Sequence, residues 1–305
     1  MKSSMPLALL FFCFAFAWDP AAATGDEQHA RPTARVPHGS APTIDGGVED
    51  DEWTDGLTLR TFGDTWATDM MSGNRDAVYD PTDLDVEIRM KHDGETLYIL
   101  AIVRDNLIYA VDTDQWQPPA GKHREPPYWK TEPGSGDIFG GAHWGWWGDC
   151  VEVAIVANMD ADIPKLPTCG AADPDAPGQA WKIQGNISYA RIMTDQSMAG
   201  WVENDHIRWQ GKLTKDPRGY IQEWAIDFDP VLDTGGQPYS PEDSDPMGFQ
   251  LLVMDLDKKE AGEGWSNIRH QAVWSYAADE GDKRLRENWG RLVLLPAEED
   301  ETTPE

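Results

Sequence analysis

The chain has 305 residues, with 54 acidic against 25 basic side chains and a formal net charge of −29. No Lys/Arg stripe runs along it, which excludes nucleic acid as a partner, because binding a phosphate backbone needs clustered cations. Fifteen tryptophans accompany a mean hydropathy of −0.56. That much indole needs either a core or a flat apolar ligand face to cover it.

Residues 1–23 read as an export signal. Lys2 precedes an apolar run from Met5 to Ala17, and small residues end it at Ala21-Ala22-Ala23. The run is shorter than the roughly 20 residues a membrane span needs, and no later segment approaches that length, so no transmembrane segment is expected. The mature chain is expected to be secreted or periplasmic, with Cys13 leaving with the signal. Residues 24–40, polar and Pro-containing, read as a flexible linker, and 297–305 as an acidic disordered tail.

The first clear element is Leu84-Asp85-Val86-Glu87-Ile88-Arg89-Met90, whose apolar and charged residues alternate with the period of a half-buried strand. Asp93-Gly94 predicts a tight hairpin, and the apolar run Leu97–Val103 predicts its central-strand partner. The insertion over 112–142 carries Trp116, Tyr128 and Trp129 among prolines, and ends in His143-Trp144-Gly145-Trp146-Trp147. Further strands are predicted at Val151–Ala157, Trp181–Ile192, Ile207–Leu213, Tyr220–Phe228, Phe249–Met254, Ala272–Ser275 and Gly290–Leu295. Trp53, Trp181, Trp209, Trp224 and Trp289 lie on or beside strands, where core packing is the default. The fold class is therefore all-β: a single antiparallel β-sandwich, jelly-roll-like, over 41–296 with long loop insertions.

Once the signal is removed, Cys150 and Cys169 remain. In an oxidising compartment an even count favours a disulfide, here between the end of the Trp-rich loop and the insertion over 158–180. Two unrelated thiols are the alternative.

Several short motifs carry a family resemblance. Ala41-Pro42-Thr43-Ile44-Asp45-Gly46, with Asp51-Glu52-Trp53 shortly after, resembles the opening of carbohydrate-binding module family 9-like domains. Leu97-Tyr98-Ile99 with Val103-Arg104-Asp105, Asp149-Cys150-Val151-Glu152, Gly219-Tyr220 through Glu223, Met247-Gly248-Phe249-Gln250 and Trp289-Gly290-Arg291-Leu292 resemble later strands of that family, in order. The resemblance spans about 41–296. It implies a sandwich that holds sugar termini between tryptophans, with calcium ions bracing loops. By motif position, Trp146 would stack on the sugar, Glu152 would accept hydroxyl hydrogen bonds, and Lys182 is the nearby basic residue. Trp144 and Trp147 are further candidates for the platform. Where the family's second clamping Trp is expected, this chain has Asp282-Lys283-Arg284-Leu285-Arg286-Glu287.

Indole faces pack on pyranose C–H faces, and a carboxylate orients hydroxyls that stacking leaves free to turn. Each candidate also has a plainer reading: the tryptophans as loop packing, Glu152 as a solvated position on an alternating strand, and Lys182 as a lysine facing water. The acidic runs Glu49–Glu52, Asp243–Asp245 and Asp255–Asp257 could supply calcium ligands or could be solvated surface. The main reading is thus an exported, non-catalytic binder of oligo- or polysaccharide. Alternatives are an exported haem or electron-transfer domain, with His143, Met159 and Met193 as the nearest axial candidates, and a component of a glycoside hydrolase system. No His-Glu-x-x-His helix, Gly-x-Ser-x-Gly elbow or phosphate-binding glycine loop is present.

Overall fold

Alternation of apolar and polar residues builds this molecule, and strands carry all of its regular structure among the described residues. The computed structural model describes residues 32–48, 51–60, 64–69, 82–111, 129–131, 138–140, 149–156, 180–186, 189–194, 207–228, 239–241, 246–258, 267–274 and 289–297. All of them belong to one compact unit, Arg31–Glu305. In chain order the strands are β1 Thr33–Val36, β2 Leu57–Leu59, β3 Asp64–Asp69, β4 Leu84–His92, β5 Thr96–Asp105, β6 Tyr109–Val111, β7 Trp129–Thr131 and β8 Ile138–Gly140. They continue as β9 Cys150–Val156, β10 Ala180–Asn186, β11 Tyr189–Thr194, β12 Ile207–Lys215, β13 Arg218–Asp227, β14 Met247–Lys258, β15 Asn267–Trp274 and β16 Gly290–Leu294.

Two sheets form the sandwich. The larger runs β1-β16-β14-β9-β10-β11, with β15 also on β14 and β3 on β15; the smaller runs β12-β13-β5-β4-β2. Inward residues come from every second position: Leu84, Val86, Ile88 and Met90 on β4, Leu97, Ile99, Ala101 and Val103 on β5, and Tyr220, Trp224 and Ile226 on β13. Val151, Val153 and Ile155 of β9 and Met247, Phe249, Leu251 and Val253 of β14 meet them from the other sheet. Trp224 and Trp289 are buried, as their strand positions predict. The β4–β5 hairpin closes at Asp93-Gly94: Asp93 Oδ1 accepts from the N–H groups of Glu95 and Thr96, and Gly94 takes a φ of 96°.

Three expectations need correction. Thr33–Val36, inside the segment read as a linker, forms β1 in parallel register with β16, from Thr33 opposite Arg291 to Val36 opposite Leu294. Its partner comes from the far end of the chain, so no local pattern announces it. The run Trp181–Ile192 is two strands, β10 and β11, in a hairpin with Asn186 opposite Tyr189. Within the 112–142 insertion, β7 and β8 pair with each other, and β8 pairs with β6, to make a small third sheet. The sheets are antiparallel β-sandwich layers as expected, with two parallel pairs, β1–β16 and β6–β8, among them.

The outer face of the smaller sheet is covered by the segment preceding β2. Trp53, Tyr98, Leu100 and Ala225 form a second apolar cluster with Ile44 and Val48 against it. Lys91, fully buried, points its ammonium at Asp55 Oδ1 2.8 Å away and at the carbonyl of Glu52, and sits 5.4 Å from the centre of the Trp53 ring. Burial alone would push the Asp55 carboxyl up, but the Lys91 hydrogen bond, the Ser40 N–H and the Lys91 charge together hold it below the usual carboxylate range.

Candidate functional site

The larger sheet has an outer face that is buried yet carries polar side chains. On β9 the inward residues are odd-numbered, so Cys150, Glu152 and Ala154 face the other way. Opposite them on β14 stand Gln250, Leu252 and Met254, in register with Ala154, Glu152 and Cys150 respectively. On the other side of β9, β10 sets Lys182 opposite Ala154, Gln184 opposite Glu152 and Asn186 opposite Cys150. Three ladder rows result: Gln250–Ala154–Lys182, Leu252–Glu152–Gln184 and Met254–Cys150–Asn186.

Glu152 is only 2% exposed, which overturns its reading as a solvated position on an alternating strand. Gln250 is buried beside it at a diagonal ladder position. A buried carboxylate and amide on an outward-facing layer are expensive unless they are hydrogen-bonded, so this face is organised around polar contacts. Lys182 lies one ladder step from Glu152 on the adjacent strand, so the register brings together two of the residues singled out from sequence. Ala154, between Gln250 and Lys182, is the smallest residue of its row.

Trp144, Trp146 and Trp147 lie outside the described residues, as do His143 and Met159; Met193 lies on β11 opposite Lys182. No disulfide is seen among the described residues: Cys150 is buried on β9, and Cys169 lies outside them. Sequence reasoning missed Gln250, Gln184 and Asn186. Gln250 could have been found by carrying the odd-inward alternation through Phe249 and Leu251, and the β10 residues only once their register with β9 was known.

At one end of the sandwich, three acidic side chains converge, from β5, from β14 and from the residue just before β9. Asp105, Asp149 and Asp255 are each at most 3% exposed, and one carboxylate oxygen of each lies within 4.8 Å of the others. Asp255 belongs to an acidic run that could equally have been solvated surface, and its burial corrects that reading for this residue. An all-carboxylate donor set suits hard cations such as calcium.

No family model matches the sequence, and no curated relative does. Solved structures do share its fold. A carbohydrate-binding module of family 9 from Caldicellulosiruptor kristjanssonii, in complex with cellotriose, is similar with a TM-score of 0.51 at 17% identity, over 90% of this chain and 98% of that one. The same kind of module in complex with glucose gives a TM-score of 0.49 at 17% identity, over 89% of this chain and 100% of that one. The likeness defines the architecture: the chain has the β-sandwich fold of family 9 carbohydrate-binding modules.

Proposed function

We propose that this protein is an exported, non-catalytic binder of oligo- or polysaccharide, working on the outer face of the larger sheet. The observation that carries the reading is the buried Glu152 carboxylate, flanked in the ladder by Gln250 on one side and by Lys182 and Gln184 on the other. Sugars offer hydroxyls that both donate and accept, and a carboxylate with neighbouring amides and an amine can answer both roles. The fold supports the same reading, since the family 9 module it resembles is held in complex with cellotriose.

In this reading Trp146 supplies the stacking surface, helped by Trp144 and Trp147, all three a few residues before Glu152 in the sequence. Glu152 accepts hydroxyl hydrogen bonds and Lys182 orients the ring. The ligand must displace whatever covers Glu152, so binding buries the carboxylate against sugar in place of its present surroundings. Indoles have few rotors, so stacking on them sacrifices little conformational entropy.

The test is a titration of intrinsic tryptophan fluorescence with cello-oligosaccharides, run on the mature chain and on Trp146→Ala. A saturable change in the first that disappears in the second supports the platform. An unchanged response in Trp146→Ala removes it.

A further inference from the structure

β1 and β16, the strands that open and close the sandwich, belong to the larger sheet, and both are tied to one residue of the smaller sheet. That residue, His92, ends β4. Its backbone N–H donates to the Pro37 carbonyl at 3.1 Å and its carbonyl accepts the Gly39 N–H at 2.8 Å, a bridge that catches the chain just after β1. Its ring reaches the residue just after β16, with Nε2 2.9 Å from the Leu295 carbonyl oxygen. Leu295 in turn donates its N–H to the Val36 carbonyl at 2.9 Å, so the two ends of the sandwich also hold each other there.

The bonds of the ring fix its protonation. Gly94 presents an N–H to Nδ1 at 3.2 Å, so Nδ1 is a bare acceptor, and Nε2 carries the one proton, donated to Leu295. A second proton has only Nδ1 to go to, where it points at the Gly94 N–H. Two donors then face each other in a buried place, and the ring can keep Leu295 only by giving up Gly94 and remaining charged away from water.

The groups around the ring do not rescue the cation. From the segment after β1 comes the His38 ring, edge-on with its centre 5.4 Å away, whose charge opposes one on His92. From the hairpin come Asp93, which favours the cation but already accepts from the Glu95 and Thr96 N–H groups and the Tyr98 hydroxyl, and Glu95, which is exposed. Lys91 turns the other way, to Asp55; β5 sets Leu97 opposite His92, and Leu295–Ala297 bring no ionisable side chain. Burial outweighs Asp93 and the Leu295 bond and lowers the pKa of the ring from its ordinary 6.5.

β1 has little else to hold it. It is a four-residue edge strand with one neighbour in its sheet, β16, and it contributes only Ala34 and Val36 to the core. β4, by contrast, pairs along nine residues with β5 and buries Leu84, Val86, Ile88 and Met90. Units with few buried contacts open at a free energy below that of global unfolding, so β1 gives way first.

We propose that His92 is an acid-operated latch: a proton on Nδ1 turns the ring out of its seat and releases β1 and the chain beyond β16 from the end of β4, while the rest of the sandwich stays folded. The latch is closed when His92 is neutral. Because the folded chain favours the neutral ring, the latch opens only as pH falls through a value below about 6.5. It does not depend on the saccharide reading.

The experiment is hydrogen–deuterium exchange of the mature chain at about pH 7.5 and about pH 5, with exchange times scaled for the intrinsic rate at each pH. In wild type β1 is expected to exchange at least about tenfold faster at the lower pH, with β5 unchanged. In His92→Gln, whose amide does not charge, the scaled β1 rate is expected to be the same at both. Long-range proton–nitrogen NMR of the histidine rings decides the matter in wild type even if His92→Gln does not fold. His92 should carry a proton on Nε2 alone at the higher pH and take its second over the range in which β1 opens. Equal β1 rates in wild type at the two pH values overturn the proposal. So does a pH effect that survives in His92→Gln, a simultaneous loss of protection in β5, or a His92 ring that stays neutral while β1 opens.

Discussion

Trp53 donates its indole N–H to Glu223 Oε1 across 3.1 Å, with both side chains buried. The other oxygen, Glu223 Oε2, accepts the backbone N–H groups of Asp45 at 2.9 Å and Gly46 at 2.7 Å. One carboxylate on β13 thus holds two points of the segment that covers the outer face of the smaller sheet. Replacing it by Glu223→Gln turns an N–H₂ group toward one set of donors. Urea unfolding is expected to show a loss of about 2–3 kcal/mol, since a buried donor is left unsatisfied; a loss under about 0.5 kcal/mol would mean that the covering segment is held elsewhere.

The Lys91–Asp55 pair is lopsided, and its two halves should respond differently. Lys91 is fully buried, whereas the Asp55 side chain is 37% exposed. Lys91→Ala removes the aliphatic stem, the contact with Trp53 and the bond to the Glu52 carbonyl, and is expected to cost about 2–3 kcal/mol. Asp55→Asn leaves the buried ammonium its bond to the Glu52 carbonyl and an amide oxygen where the carboxylate stood, at a position open to water, and is expected to cost about 1 kcal/mol. Equal effects in denaturant melts would contradict this asymmetry.

Gly219 is required by space. A Cβ there would fall 1.9 Å from the Val103 carbonyl oxygen, at a φ of 152°, and that carbonyl belongs to the β5–β13 ladder and cannot move aside. Gly219→Ala is expected to destabilise by about 3 kcal/mol, at the upper end of overpacking effects, with the loss read from Tm. Gly94→Ala meets nothing within 4 Å and should show only the smaller penalty of its positive φ.

His92 makes stability depend on mild acid. Its ring is 1% exposed, Nδ1 accepts the Gly94 N–H at 3.2 Å, and Nε2 therefore carries the proton donated to the Leu295 carbonyl at 2.9 Å. Burial, with the nearby His38 ring adding to it, lowers the His92 pKa despite the Leu295 bond and the Asp93 carboxylate. With the folded value depressed, the contribution is present above about pH 6.5 and is lost as pH falls through that folded value. Tm should drop between about pH 7.5 and about pH 5 in wild type, and less in His92→Gln. Asp55 and Asp93, whose carboxyls are held low, lose their contributions only in stronger acid, below about pH 4. An identical pH profile in the variant would exclude His92 as the source.

Saccharide affinity supplies a separate check on the β9 face. Glu152→Gln keeps the shape of the side chain but removes its charge and turns one acceptor oxygen into a donor, so cello-oligosaccharide affinity is expected to fall about tenfold, roughly 1.4 kcal/mol, for lost charge-assisted bonds. Unaltered affinity in a folded variant would move the site away from this face.

Much of the fold was legible because β signals are local. The strict alternation of Leu84–Met90 and the Asp93-Gly94 turn specify a hairpin without reference to anything distant, and the structure has it with Leu84 opposite Asp105 and His92 opposite Leu97. β1 was hidden for the opposite reason: four residues reading Thr-Ala-Arg-Val become a strand only because β16 lies alongside. β2, with three residues, carries too few positions for a period to appear. For the site, sequence singled out Glu152 and Lys182, while Gln250 and Gln184 joined them only through the β9 register.

By itself the sequence determined the all-strand architecture, the inward and outward parity of each long strand, and the tryptophans that fill the core, because these follow from the period of two and from the drive to bury apolar surface. Tertiary structure alone decided that Glu152 is buried rather than solvated and that Asp105, Asp149 and Asp255 meet. Parity says which way a side chain points, but what it meets there depends on register between strands far apart in the chain.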